Sequence, residues 1–190
     1  MWKALIFLSL VAAGSNLAGA QPAKTGTYAN PEFGLSVRIP EGLRCCTGEG
    51  ATHSHGPVIF LDPHDVGSCD YQQRRRAVLF YSSYSVTDET KTLDDLRRWC
   101  VNMFGGKEVR APKGIRIPGC KTASARVDLD DGWIDVYAVT QMAPGATANP
   151  LAPSVNHTIR LHTDPAHLEG DLAVFRSVLK STKLSPTDGS

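Results

Sequence analysis

The alternation of apolar and polar residues predicts β-strands in the first half of the chain. Residues 33–39 alternate, with Leu35, Val37 and Ile39 on one side, and Pro40 ends the pattern. This is typical of a half-buried strand. Residues 58–61 and residues 77–81 are continuous apolar runs, which favour strands buried on both faces.

The strongest β pattern spans residues 121–142 and is interrupted by Asp130-Asp131-Gly132. A two-residue turn at Asp130-Asp131 or at Asp131-Gly132 leads to the same parity of the two strands. We therefore predict one hairpin with its apolar residues on one face. These residues are Ala123, Ala125, Val127, Leu129, Ile134, Val136, Ala138 and Met142.

Helical spacing appears in two places. Thr92 and Asp95 resemble a capping box, an apolar stripe follows over residues 93–104, and Gly105-Gly106 ends it. Asp164-Pro165 has the pattern of an N-cap followed by the first helical residue. The apolar stripe of this closing helix consists of Leu168, Leu172, Phe175 and Leu179.

The order of elements is three strands, a helix, at least three strands and a second helix. We therefore predict an α+β fold with a largely antiparallel sheet and two helices packed against it. Residues 21–184 fit one domain of ordinary size, and residues 185–190 form a loose polar tail.

The first 20 residues have the features of a signal peptide. Lys3 precedes the apolar residues 4–13, and Ala18-Gly19-Ala20 matches a signal-peptidase site. Cleavage near Ala20 predicts a secreted or periplasmic protein without a membrane anchor. Loss of Lys3 reduces the 20 basic residues to 19, equal to the 19 acidic ones. This balance argues against a nucleic-acid partner.

Five cysteines in an exported chain predict disulfide bonds and one spare thiol. Local pairing favours a bridge from Cys46 to Cys69 and another from Cys100 to Cys120. Each would stabilise the fold by about 3 kcal/mol in the chain-entropy model. Cys45, next to Cys46, is then the candidate for the spare thiol, although pairing of Cys45 in place of Cys46 stays open.

Two segments resemble known PsbP/Mog1-like domains. The opening is similar in Tyr28-x-Asn30-Pro31-x-Phe33-Gly34-Leu35-Ser36-Val37-x-Ile39-Pro40-x-Gly42, and the closing in Phe175-x-x-Val178-Leu179-x-Ser181-x-Lys183-Leu184. The chain departs from that family at Leu43, where Trp is common, and in its cysteines. The resemblance implies helices around an antiparallel sheet and a role in binding, assembly or scaffolding. It implies no activity.

Histidine-containing loops offer two chemical alternatives. His53 and His55, together with a cysteine, have the ligand types that bind copper or zinc. His64, between Asp62 and Asp65, could act as a general base in a small hydrolase. Against these stand a loop held by a disulfide bond, with no cofactor, and a turn stabilised by Asp62 before Pro63. The latter two interpretations are preferred.

The polar side of the predicted hairpin sheet is the candidate binding face. Its aromatic and charged residues have the composition of a recognition surface. Equally, the helix at residues 93–104 could cover this face and pack on its aromatic residues. The residues concerned are Arg126, Trp133, Asp135, Tyr137, Arg160 and His162, with Arg126 and Asp135 predicted as cross-strand neighbours.

The preferred functional hypothesis is an exported, non-enzymatic binding protein of the cell envelope. Its partner, a protein or a small ligand, would contact the polar sheet face or the Pro-rich loop at residues 143–153. A periplasmic metal-binding protein and a small hydrolase are the two alternatives.

Overall fold

A computed structural model describes residues 26–47, 56–65, 75–84, 90–142 and 154–185. Within these residues the chain forms ten strands and two α-helices, which confirms the predicted α+β class. The strands are β1 (Thr27–Asn30), β2 (Leu35–Arg38), β3 (Arg44–Cys46), β4 (Val58–Phe60), β5 (Ala77–Tyr84), β6 (Lys107–Val109), β7 (Thr122–Asp128), β8 (Ile134–Gln141), β9 (Val155–Thr163) and β10 (Lys183–Leu184). The helices are α1 (Leu93–Asn102) and α2 (Leu168–Ser181).

Two antiparallel sheets organise these elements. The larger has seven strands in the order β3-β4-β5-β9-β8-β7-β6, and the smaller has three in the order β1-β2-β10. Helix α1 packs on β7 and β8, while α2 packs on β9 and on β2 of the small sheet. The large sheet therefore has a helix on each face.

The opening and closing segments of the chain meet in the small sheet. Strand β10 pairs with β2, with Lys183 opposite Ser36 and Leu184 opposite Leu35. A 3-10 helix, Pro31–Phe33, leads into β2, and Gly34 after it has a φ of 61°. Glycine adopts this left-handed conformation without a Cβ clash. The two segments that resemble PsbP/Mog1-like domains thus form one structural unit.

The core lies on both faces of the large sheet. One cluster joins α2 to the sheet through Phe175, Leu172, Val136 and Leu161. A second cluster joins α1 to the opposite face and contains Leu96, Cys100, Ala125, Val127, Tyr137 and Val139. Burial on both faces explains why β4 and the first half of β5 are continuously apolar.

The hairpin prediction is correct in its strands and wrong in its faces. Asp130, Asp131 and Gly132 form a three-residue loop, closed by a hydrogen bond from the Leu129 N–H to the Trp133 carbonyl (2.8 Å). Gly132 has a φ of 86°, as three-residue hairpin loops require. The extra residue shifts the register, so that Val127 faces Asp135 and Arg126 faces Val136. A shift of one residue turns every side chain of a strand to the other face.

Consequently, the apolar residues of the hairpin are divided between the two cores. Ala125 and Val127 pack towards α1, whereas Val136 and Ala138 pack in the cluster that contains α2. Arg126 and Asp135 are not cross-strand neighbours, because they lie on opposite faces of the sheet.

The predicted bridge between Cys100 and Cys120 is also wrong, since both residues are free thiols. Cys100 lies in the core under α1, while Cys120 packs against the core on the α2 side. The sheet therefore separates the two sulfur atoms. Cys45 is a buried free thiol, and burial raises its pKa to about 12.

Cys46 is buried in strand β3. Cys69, the partner predicted for it, lies outside the described residues. The pairing of Cys46 with Cys69 therefore stays a prediction.

The start of α1 follows the predicted capping box. The Asp95 N–H donates to Thr92 Oγ1, and the Thr92 N–H donates to Asp95 Oδ2, both at 3.1 Å. For α2 the predicted start is too early. Asp164 accepts from the N–H groups of Ala166 and His167 and so caps a preceding turn, and the helix begins at Leu168.

Gly170 offers a test of the stability of α2. It is exposed in the first turn of the helix, and an added Cβ would meet no atom within 4 Å. We expect Gly170→Ala to raise the free energy of unfolding by about 0.5–1 kcal/mol, because alanine loses less conformational entropy on folding. Urea unfolding followed by circular dichroism measures this, and a lower midpoint would contradict it.

Several predictions fall outside the described residues. They are the signal peptide at residues 1–20, the Pro-rich loop at residues 143–153 and the polar tail beyond Ser185. In the part of the chain that the structure describes, neither helix is long and apolar enough to cross a membrane.

Candidate functional site

Helix α1 lies over much of the polar sheet face that the sequence predicts as the candidate binding face. Tyr137 on β8 is buried in the same cluster as Leu96 and Cys100 of the helix. The Cys100 sulfur lies 3.7 Å from Thr158 Oγ1 on β9. Of the two alternatives for this face, the covering helix is therefore the one that the structure shows.

A buried carboxylate organises the residues of this face. The Asp135 side chain is 0% exposed, and its oxygens contact Arg160 Nη2 at 2.8 Å and His162 Nδ1 at 2.7 Å. The Tyr137 hydroxyl donates a third hydrogen bond at 3.0 Å. The pairing of β8 with β9 sets this geometry, because Asp135 faces His162 and Tyr137 faces Arg160.

Burial and pairing act in opposite directions on this carboxylate. Desolvation raises the pKa of Asp135, but the His162 hydrogen bond and the Arg160 charge outweigh it and hold the pKa below its usual value. Burial raises the pKa of the Tyr137 hydroxyl. Asp135 is therefore ionised at neutral pH. A buried carboxylate stays ionised only when a cation is paired with it.

Two aromatic rings enclose the ends of the network. Trp133 stacks on the His162 ring, with centroids 4.5 Å apart and an interplanar angle of 6°. The Phe104 ring lies 4.2 Å from the centre of the Arg160 guanidinium, a cation–π contact. Arg160 thus links the network to the C-terminal end of α1.

A cavity of about 340 Å³ lies between α1 and strands β5, β8 and β9, and we call it the α1 cavity. At one end, Gln141 Nε2 donates to the Thr90 carbonyl (2.9 Å) and so joins the segment before α1 to the sheet. The cavity is lined by Tyr81, Ser82, Ser83, Tyr84, Thr90, Leu96, Trp99, Cys100, Met103, Phe104, Tyr137, Asn156, Thr158 and Arg160.

Large apolar side chains form one wall of this cavity and are open to solvent. Trp99 and Met103 are each 42% exposed and Phe104 is 48% exposed. Among the described residues, these are the large apolar side chains that remain exposed. A concentration of exposed aromatic and thioether groups beside a concavity marks an interaction site.

The opposite wall is polar and holds one incompletely paired cation. The Arg160 side chain is only 10% exposed, and its Nη2 atom is paired with Asp135. Its Nε atom is buried without a hydrogen-bond partner. A buried donor left unpaired costs about 1–3 kcal/mol.

Five of the six residues of the predicted binding face lie on one face of the sheet. The alternation predicts that face, but it does not predict the contacts among Trp133, Asp135, Tyr137, Arg160 and His162. Arg126 lies on the other face, where it pairs with Asp128 at 2.7 Å.

The apolar stripe at residues 93–104 predicts that Trp99, Met103 and Phe104 are buried. In the structure these three side chains are exposed. The signal was present in the sequence, because three bulky apolar residues stand within six positions just before Gly105-Gly106.

Of the two predicted histidine sites, the one at His64 lies within the described residues. His64 is exposed, and the Asp62 side chain accepts from the His64 backbone N–H at 2.9 Å, which confirms the predicted turn. Asp65 pairs with Arg75 instead of orienting the His64 ring.

His53, His55 and Cys69 lie outside the described residues, so the copper or zinc site stays a prediction. Within the residues that the structure does describe, no group of three or more candidate ligands could hold a metal ion.

Among the described histidines, the buried one is His157, which belongs to the sheet core. Its Nδ1 atom lies 3.0 Å from Ser82 Oγ, so the ring has a hydrogen-bond partner within the core. Burial lowers the pKa of His157 to about 4, so the ring is neutral at physiological pH. Both side chains are buried, and the pair has the character of a core contact.

No protein-family model matches this chain. Nor does any curated protein. Among solved structures, the chain is similar to the solution structure of cyanobacterial PsbP (CyanoP) from Synechocystis sp. PCC 6803. That similarity has a TM-score of 0.49 and 16% sequence identity, and it covers 90% of this chain and 96% of that chain. The resemblance is one of fold, and function does not follow from fold.

Proposed function

We propose that the protein is a non-enzymatic binding protein of the cell envelope that holds a small amphipathic ligand in the α1 cavity. The observation that supports this is the juxtaposition of an exposed apolar wall and a buried polar wall around one concavity. The ligand would have an aromatic or branched apolar body and one hydrogen-bond acceptor.

The dimensions and lining of the cavity suit a small molecule. A volume of about 340 Å³ falls within the usual range for ligand pockets. Trp99, Met103 and Phe104 provide apolar contact area, and Met adapts its shape to the ligand. Thr158 and Arg160 provide polar groups on rigid strands, which would fix the orientation of the ligand.

The buried network favours binding over catalysis. Asp135 already accepts three hydrogen bonds, from Tyr137, Arg160 and His162. A general base needs a lone pair that can reach a substrate proton, and the Asp135 side chain is 0% exposed. We therefore assign Asp135 and His162 the role of positioning Arg160 at the cavity wall.

A titration with 8-anilinonaphthalene-1-sulfonate, an aromatic anion, tests this proposal. We expect a single class of sites and a fluorescence increase. Trp99→Ala and Phe104→Ala should each weaken binding by about tenfold, because central aromatic contacts contribute most of the affinity of a site.

Trp133→Phe is the matched control, since Trp133 is the second tryptophan of the described residues and does not line the cavity, and phenylalanine keeps an aromatic ring against His162. This variant should bind the probe within about twofold of the original protein. Equal losses in all three variants, or many weak sites on the native protein, would contradict the proposal.

A further inference from the structure

A group of unpaired cations lies on the side of the molecule away from α1. Their side chains come from β2, β10, the second half of α2 and the segment before β7. None of them forms an ion pair with a carboxylate of the described residues. The six residues are Arg38, Lys113, Arg116, Arg176, Lys180 and Lys183.

Three of these cations line one concavity, which we call the basic pocket. Arg38, Lys180 and Lys183 surround a volume of about 420 Å³. The hydroxyl-bearing residues Thr27, Ser36, Ser177 and Ser181 complete its lining. Ammonium, guanidinium and hydroxyl groups are the donors that proteins use for phosphate.

Backbone contacts hold the elements of the basic pocket together. The Arg38 N–H donates to Ser181 Oγ at 3.2 Å, and Ser181 Oγ lies 3.3 Å from the Arg38 carbonyl oxygen. Lys183 faces Ser36 across the β10–β2 pair. The end of α2 is therefore fixed to the small sheet where the three cations meet.

Lys180 extends the positive surface into a second concavity. It lines a volume of about 520 Å³ together with Arg116 and the glycines Gly114 and Gly119. Arg176 lies beside this segment, because its Nε atom donates to the Lys113 carbonyl at 3.2 Å. The cations thus form a continuous strip along α2.

One acidic residue, Glu41, lines a neighbouring concavity together with Arg38 and Thr27, and other acidic residues of the described part of the chain pair with arginines away from the basic pocket. Asp94, Asp95 and Glu108 already pair with arginines of α1, at the opposite side of the large sheet. Asp171, the buried carboxylate of α2, pairs with Arg76. Among the described residues, this side of the molecule therefore carries more positive than negative charge, which raises the local concentration of anions.

We propose that the basic pocket binds the phosphate group of a phosphomonoester, with Arg38, Lys180 and Lys183 as its charged donors. Three cations around one concavity with hydroxyl groups match a compact dianion. The site is independent of the α1 cavity, because the large sheet separates the two.

Isothermal titration with inorganic phosphate as the probe tests this proposal. The double variant Lys180→Gln/Lys183→Gln should weaken binding by at least about tenfold, since charge-assisted hydrogen bonds supply most of the affinity. Lys107→Gln on β6 is the matched control, because it removes an exposed lysine far from the basic pocket, and it should leave binding within about twofold. Raising the salt concentration should weaken binding further.

Glycerol 3-phosphate and vesicles containing phosphatidic acid then identify the source of the phosphate. Binding of the soluble ester indicates a soluble phosphorylated ligand, whereas binding of vesicles alone indicates a lipid headgroup. The proposal is overturned if Lys107→Gln and the double variant lose affinity equally. It is also overturned if the double variant lowers only the thermal midpoint, as expected when Lys180 merely offsets the dipole of α2. Lys183→Gln alone, on an exposed strand position, serves if the double variant fails to fold.

Discussion

Asp135→Asn is expected to lower the free energy of unfolding by about 3–5 kcal/mol, because it leaves a buried cation without its counter-charge. The Arg160 side chain is 10% exposed and Asp135 is its partner at 2.8 Å. Asparagine keeps the size of the side chain but not the charge. Urea unfolding followed by tryptophan fluorescence measures the change as a lower midpoint at an unchanged slope.

Asp128→Asn provides the matched control on the same hairpin. Its partner, Arg126, lies at 2.7 Å, but both side chains are partly open to solvent. The same chemical change should therefore cost about 0–1 kcal/mol. Similar losses in the two variants would show that the buried network does not hold Arg160 in place.

The pH dependence of the free energy of unfolding tests the contribution of the Asp135 carboxylate independently. The folded-state pKa of Asp135 is lowered, so its contribution is complete above the unfolded-state value of about 3.9 and is lost as pH falls through the folded-state pKa. The free energy of unfolding should therefore fall below about pH 4 in the original protein. Asp135→Asn should show a shallower fall.

The strands were predictable because burial leaves a direct pattern in the sequence. Residues 58–61 and 77–81 are apolar throughout, and they form central parts of a sheet that is covered on both faces. The capping box at Thr92 and Asp95 was also readable, because its hydrogen bonds are local. Local rules therefore account for the elements and for the class of fold.

The apolar pattern of the hairpin could not predict on which face of the sheet each of its side chains lies. Ala125, Val127, Val136 and Ala138 satisfy a single apolar face in a two-residue turn, and they equally satisfy two separate cores in a three-residue loop. The length of the loop decides between them, and in the structure Gly132 is the last residue of a three-residue loop. The pairing of Cys100 with Cys120 failed for the same reason, because proximity in sequence does not reveal the side of the sheet.

Local sequence patterns predict part of the candidate site, and the rest depends on tertiary structure. Asp135, Arg160 and His162 were identified from alternation along two strands, and β8–β9 pairing brings them together. The α1 cavity depends on how far the end of α1 stands from the sheet, which no spacing in the sequence expresses. The basic pocket was missed because Arg38 and Lys183 lie far apart in the chain and only the small sheet joins them.

Gly56 shows how a close backbone approach is hidden in the sequence. It lies in the sequence between His53 and His55, the predicted metal ligands, and strand β4. A Cβ at Gly56 would lie 2.5 Å from Phe80 Cβ and 2.8 Å from the Phe80 carbonyl oxygen. Both atoms belong to the central strand β5, which cannot move without disturbing its pairing with β4 and β9.

Gly56→Ala is therefore expected to lower the free energy of unfolding by about 3 kcal/mol or more, because the methyl group overlaps backbone instead of a flexible side chain. Gly170→Ala is the comparison, since the same methyl group is added where nothing lies within 4 Å. The two substitutions should shift the urea midpoint in opposite directions. A Gly56→Ala protein as stable as the original would mean that the segment before β4 does not approach Phe80 in solution.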